Sequence, residues 1–147
     1  MSTTSFTVIG FGERRSFQIT FGLLAGYGRG ARVFHINDAK AIIHDWMVSR
    51  IEGDLSYVTG HLLESQVVYA WQGKDRIAGR GDEPGGVFQG EVSVVYDANQ
   101  SDEEVVEQLN ELGAALGAGL DQTRVYVSFG EQTWVLERQR VRALSIA

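Results

Sequence analysis

Two stretches of helical periodicity, each set between runs of two-residue alternation, constrain this chain more than any other feature. From Asn37 to Ile51, the residues Ala39, Ile42, Ile43, Trp46 and Met47 recur at the spacing of one helix face, while Lys40, His44, Asp45 and Arg50 take the others. Asn37 or Asp38 is placed to cap this helix, with Ile36 packing back on its first turn and Gly53 ending it. The second helix opens on the capping box Ser101-Asp102-Glu103-Glu104, whose acids suit the positive end of the helix dipole. Val105, Leu109, Leu112 and Leu116 form its apolar stripe, broadened by Val106 and Leu120; Gly113, Gly117 and Gly119 weaken its end.

Strand-like segments flank both helices. Phe6 to Ile9 is a short β-prone run, and Ser16 to Phe21 alternates with Phe17, Ile19 and Phe21 on one face; the two are expected to pair as a hairpin. Leu55 to Thr59 and Gln66 to Trp71 read as one long strand region with a bend at Gly60. Phe88 to Tyr96 alternates again, after a turn expected across Gly79 to Gly86, which holds Pro84 and four glycines. Arg124 to Phe129 and Gln132 to Leu136 supply the last two strands. The order β, β, α, β, β, α, β, β predicts an α+β domain. Its centre is a ferredoxin-like βαββαβ plait, an antiparallel sheet with two helices on one face, to which an extra N-terminal strand is added. One domain spans residues 1–147, with 138–147 as a loose basic tail.

A sheet covered on one side must account for the other. Its outward candidates mix Gln18, Thr20 and Ser93 with Val68, Val95 and Tyr126. A contiguous apolar patch there predicts a homo-oligomer, trimeric or dimer-based, built through sheet faces or edges.

Composition removes several classes of function. With no cysteine, disulfides and thiolate metal sites are excluded. A net charge of −6 disfavours nucleic acid as a partner, and the basic residues Arg138, Arg140 and Arg142 have no interleaved aromatic series. Neither a basic-then-apolar start nor an apolar run of about 20 residues is present, so no membrane partner is expected and the cytoplasm is the expected location. No Ser stands in a G-x-S-x-G elbow, and His35, His44 and His61 lack the three- or four-residue spacing of a helical metal pair. No catalytic residue, metal or cofactor is assigned. Asp82 and Glu83, beside Pro84, read as solvating loop residues.

The remaining candidate is a glycine-rich loop. Gly26-Tyr27-Gly28-Arg29-Gly30-Ala31 has the letters of a dinucleotide fingerprint, but no strand runs directly into it and no helix opens within it. Its backbone amides beside Arg29 and Arg32 suit a small anionic group instead, with the loop as a mobile lid. Tyr69 and Trp71 are candidates to line the same ligand's pocket.

The segment Tyr69-Ala70-Trp71-Gln72-Gly73-Lys74, on a hairpin between the two helices, resembles the CutA branch of the PII-like proteins. The resemblance covers that hexapeptide and the element order. It implies a trimeric scaffold with ligand sites in clefts between subunits, rather than an enzyme, and carries over no metal role. The expected function is therefore sensing or sequestering a small anionic, nucleotide-like ligand at subunit interfaces. The alternatives are a small cofactor-free isomerase or oxygenase with one of the histidines as acid–base group, or a module that binds a protein partner.

Overall fold

The computed structural model describes residues 4–26 and 28–139. Among these residues, seven strands and two long helices follow one another as β1 (Ser16–Gly22), β2 (Leu24–Ala25), β3 (Arg32–Val33), α1 (Ile36–Glu52), β4 (His61–Gln72), β5 (Ala78–Glu91), α2 (Asp102–Gly119), β6 (Arg124–Phe129) and β7 (Gln132–Glu137). Five strands form one sheet in the order β4-β5-β1-β6-β7, and every neighbouring pair is antiparallel. Strands β1, β4, β5 and β6 with the two helices are the ferredoxin-like plait, and β7 extends it at one edge. β2 and β3 make a small separate ribbon.

Alternation explains which side is filled. Phe17, Ile19 and Phe21 of β1, Phe88 of β5, and Val125, Val127 and Phe129 of β6 all face the helices and are buried there. They meet Ala39, Ile43 and Trp46 of α1 and the stripe Val105, Leu109, Leu112 and Leu116 of α2. Complete burial of a Leu or Phe side chain contributes about 1.5–3 kcal/mol, so this single cluster carries most of the fold's stability.

Five expectations need correction. The extra strand is C-terminal, not N-terminal. Strand β1 already has β5 on one side and β6 on the other, which leaves Phe6–Ile9 no edge to join, and residues 4–15 contain no strand. Leu55–Thr59 is likewise not a strand; β4 starts only at His61. The cap of α1 is His35, two or three residues earlier than expected for Asn37 or Asp38: its Nδ1 accepts from the Asn37 amide at 3.0 Å, while Asp38 accepts from the His35 amide at 2.9 Å. The glycines of α2 do not fray it, for the helix continues to Gly119 and Leu120 is wholly buried.

The fifth correction matters most for function. The segment Gly79–Gly86 is not a turn but part of the fourteen-residue strand β5, and the reversal lies at Lys74-Asp75-Arg76, with Asp75 and Arg76 at φ of 60° and 64°. Glycines ordinarily weaken a strand, having no side chain to pack. Here the Trp71 ring lies over Gly79 and the Tyr69 ring over Gly81, so close that a Cβ on either glycine would stand 2.0 Å and 2.7 Å from ring atoms. Large rings on one strand fill the space that glycines on the other leave empty.

The basic tail is described only as far as residue 139. Arg138 is tied down, its amide bonding Thr123 O at 2.8 Å and its guanidinium pairing with Asp121. Arg140 and Arg142 lie outside the described residues. Among the described residues, no helix is long and apolar enough to cross a membrane.

Candidate functional site

Among the described residues nothing covers the side of the sheet away from the helices, and its register sorts it into bands. One row crosses all five strands as Leu63, Val87, Thr20, Tyr126 and Val135, apolar except for Thr20. Leu63, Tyr126 and Val135 are exposed in the single chain. The next row is polar: His61, Gln89, Gln18, Ser128 and Thr133. Leu63, Tyr126 and Val135 make the apolar band that an uncovered sheet face raises as a question. Val68, expected among its members, instead stands on the opposite side of the β4–β5 ladder, and Val95 lies beyond the sheet.

Beyond the apolar row, toward the C-terminal end of β1, the face deepens into a cleft of about 580 Å³. A cleft of this size is within the range that encloses a small organic ligand. Thr20 and Tyr126 form its floor, Val67 and Glu83 one wall, and Leu24 and Gly26 of the glycine-rich loop another; Gln122 and Arg124 close it. The walls are held from several elements. Leu23 donates to Pro84 O at 2.9 Å, joining the loop to β5, and Phe34 donates to Leu23 O at 2.8 Å, closing the ribbon of β2 and β3. Gln122 Nε2 donates to Leu24 O at 3.1 Å and Leu120 O at 2.9 Å, which links the loop to the end of α2. Leu23 and Ala25 are buried, so the root of the loop is packed rather than free; freedom begins at Gly26 and Gly28, whose φ of 77° and 73° a side chain resists.

The charges of the cleft differ in how they are satisfied. Asp121 pairs with Arg138, and Arg124 stands 3.6 Å from Glu137. Glu83 is half-buried and, among the described residues, makes neither an ion pair nor a side-chain hydrogen bond. A carboxylate in that position favours a ligand with hydroxyl donors or positive charge.

Of the ligand-binding residues expected from sequence, the structure brings Gly26 alone among the described residues into this cleft. Gly28, Arg29 and Gly30 form a single exposed 3₁₀ turn at the loop's outer end. Arg32 is exposed on β3, its guanidinium 4.4 Å from the centre of the Phe34 ring. Tyr69 and Trp71 share the open-face side of the β4–β5 hairpin with Val67, their ring centres 6.1 Å apart, but lie farther out than the cleft. Tyr27 lies outside the described residues. Sequence reasoning missed Glu83, Thr20 and Tyr126 as a set. The signal for Glu83 was its two-residue spacing from Gly81 and Gly79, hidden once that segment was read as a turn.

No family model and no curated protein matches the sequence. Among solved structures the chain is similar to a phage SAM lyase in complex with S-methyl-5'-thioadenosine: 17% identity, TM-score 0.63, covering 91% of this chain and 97% of that one. It is also similar to a phage SAM lyase in the apo state, with 14% identity, TM-score 0.58 and coverage of 96% and 100%. At such identities the likeness is one of fold, and it extends over nearly the whole of both chains.

Proposed function

We propose that this protein binds a small adenosyl thioether or sulfonium compound, of the kind represented by S-methyl-5'-thioadenosine and S-adenosylmethionine, in the cleft between the open sheet face and the glycine-rich loop. The observation that carries the reading is Glu83: a half-buried carboxylate with no ion-pair or hydrogen-bond partner among the described residues, across a 580 Å³ cleft whose floor includes the ring of Tyr126. A carboxylate accepts hydrogen bonds from ribose hydroxyls and attracts a sulfonium, while a tyrosine ring offers a surface for a purine. The similar fold of a lyase that holds S-methyl-5'-thioadenosine supports the same ligand class. The anionic contact belongs to this proposal too: the amino-acid end of S-adenosylmethionine bears a carboxylate, and Arg29 and Arg32 on the loop are the cations to meet it. Association of several copies, trimeric as the PII-like resemblance implies or dimer-based, would cover the apolar row and bring a second subunit to the cleft.

A second reading, that the chain cleaves its ligand, is favoured by the same carboxylate. A sulfonium is its own leaving group: when its carbon–sulfur bond breaks, the bonding pair stays on sulfur and a neutral thioether departs. Such a reaction needs a group to orient the substrate or take a proton, and Glu83 is the candidate in this chain.

Calorimetric titration with S-methyl-5'-thioadenosine and S-adenosylmethionine tests binding, and Glu83→Gln is expected to weaken it by about ten- to a hundredfold, the value of a hydrogen bond to a charged group. Chromatography of the S-adenosylmethionine mixture for released thioether separates binder from lyase. No heat and no thermal shift with either compound at millimolar concentration would defeat the proposal.

A further inference from the structure

The hairpin of β4 and β5 outruns the sheet that carries it. Strand β1 accompanies β5 only as far as Gly85, opposite Gly22. Beyond that level, apart from the Leu23 amide on Pro84 O, Gln66–Gln72 and Ala78–Pro84 pair only with each other. This two-stranded arm is about 24 Å long at the usual rise per residue. A lone two-stranded ribbon is at best marginally stable in water. This one also exposes Val68, Trp71 and Ile77 at 78%, 53% and 72%. Its end carries three cations, Lys74, Arg76 and Arg80, against the single acid Asp75, and among the described residues none of the three cations is in an ion pair.

At the other end of the molecule is a surface of opposite character. The start of α2 and the turn between β6 and β7 enclose a groove of about 640 Å³ with Val106, Phe129 and Trp134 as its apolar floor. Glu103, Glu107 and Glu131 rim it without ion-pair partners among the described residues, whereas Asp102 is already held by Arg15 at 2.7 Å. The groove adjoins Ser16, to whose carbonyl Gly130 donates at 3.0 Å, and the arm leaves the sheet beside Gly22, the far end of the same strand. Along the strand axis the arm's tip is therefore about 40 Å from its own groove. It cannot fold back to it.

We infer that the tip of the β4–β5 arm docks into the acidic, apolar-floored groove of a second copy of this chain, head to tail. Aromatic and aliphatic side chains of the arm meet Val106, Phe129 and Trp134, while Lys74, Arg76 and Arg80 meet Glu103, Glu107 and Glu131. Because arm and groove are different surfaces, each docked copy still offers one of each, the arrangement that generates rings or filaments rather than an isologous pair. The arm's root supplies Val67 and Glu83 to the ligand cleft, so a docked tip also steadies one cleft wall. The inference rests on the association clause of the proposed function and is independent of its ligand.

Two charge-swap variants test it by sedimentation of the full chain at tens of micromolar. Arg76→Glu/Arg80→Glu makes the arm acidic, and Glu107→Lys/Glu131→Lys makes the groove basic. Each is expected to reduce the particle to a monomer. An equimolar mixture of the two, or one chain carrying all four changes, should regain at least a twofold higher mass. Circular dichroism and melting temperature report folding separately, since all four residues are exposed. Oligomers of undiminished mass in both swaps would overturn the arm–groove contact while leaving association through the open face intact. Monomers in both swaps without recovery on mixing would also overturn it. A monomeric wild-type chain would defeat the contact and the association clause together, leaving the ligand reading to its own titration.

Discussion

The sheet behaves as two regions joined end to end. In its middle, β1 is flanked on both sides and roofed by α2, and Ile19, Leu109, Leu112 and Leu116 have no exposure at all. In the arm, the same strand β5 continues with one neighbour, no roof, and aromatic rings lying across glycines. Both regions have complete antiparallel ladders. The difference lies in what the side chains meet, and it teaches that backbone pairing alone does not decide where stability resides: the middle is held by burial, the arm by ring-over-glycine contacts and by whatever its tip touches.

The contrast breaks most severely at the core. Leu112→Ala removes a wholly buried side chain from the helix stripe and is expected to cost about 2–5 kcal/mol, seen as a large fall in the urea midpoint. A loss below about 1 kcal/mol would mean that α2 is not the principal roof of the sheet. Gly113→Ala probes how close that roof sits. A Cβ there would stand 2.9 Å from both Leu136 Cδ1 and Val127 Cγ2. Overpacking of this kind costs about 1–3 kcal/mol, and the helix propensity of alanine returns about 1 kcal/mol, so a net loss near 1 kcal/mol is expected. A more stable variant would show that the helix can lift without penalty. In the arm, Trp71→Ala on monomeric protein should shift global stability by less than about 0.5 kcal/mol and instead speed amide exchange in 66–84, because the arm opens without unfolding the core. Global destabilisation comparable to that of Leu112→Ala would erase the distinction between the two regions.

The middle was legible in the sequence because its signals are local and redundant. The Ser101 cap starts α2 as its letters say, and the structure places the leucine stripe of α2 and the alternating Phe17, Ile19 and Phe21 in one buried cluster. The arm was not legible, because its strand character is created across the ladder. Gly79 and Gly81 read as turn residues until Trp71 and Tyr69 are set opposite them, a pairing that depends on the register and not on neighbouring letters. The actual reversal, Lys74-Asp75-Arg76, holds positive φ at Asp75 and Arg76, neither of them a glycine, and only Gly73 beside it marks a turn, a weaker signal than the four glycines and Pro84 of 79–86. The candidate cleft suffered from the same cause: Thr20, Glu83 and Tyr126 come from three strands, and only the correct length of β5 puts Glu83 beside the other two. The N-terminal strand failed for a topological reason, since the hydrophobic letters Phe6 to Ile9 say nothing about β1 having both edges taken. Those residues remain exposed, Phe6 at 94%, Val8 at 87% and Ile9 at 78%.

The smallest expected effect lies where the middle of the sheet meets the start of α2. Burial raises the pKa of Asp97 above its ordinary 3.8, although the Arg15 guanidinium and a hydrogen bond from Gln100 Nε2 at 3.1 Å pull the other way. The folded chain therefore holds this proton more tightly than the unfolded chain. The stabilisation that follows is complete below pH 3.8 and is lost as the pH climbs through the raised folded value, so at neutral pH the ionised carboxylate weighs slightly against the fold. Asp97→Asn stays neutral and keeps an oxygen to accept from Gln100. It should be equal to or slightly more stable than wild type at pH 7, by no more than the ~0.5 kcal/mol typical of surface substitutions, with the difference shrinking as the pH approaches 3.5. Paired melting curves across that range measure it. A variant that is clearly less stable at pH 7 would show that the attraction of Arg15, which also binds Asp102 and Gln100 O, outweighs burial, and that this corner is held by charge rather than by the packing that rules the rest of the core.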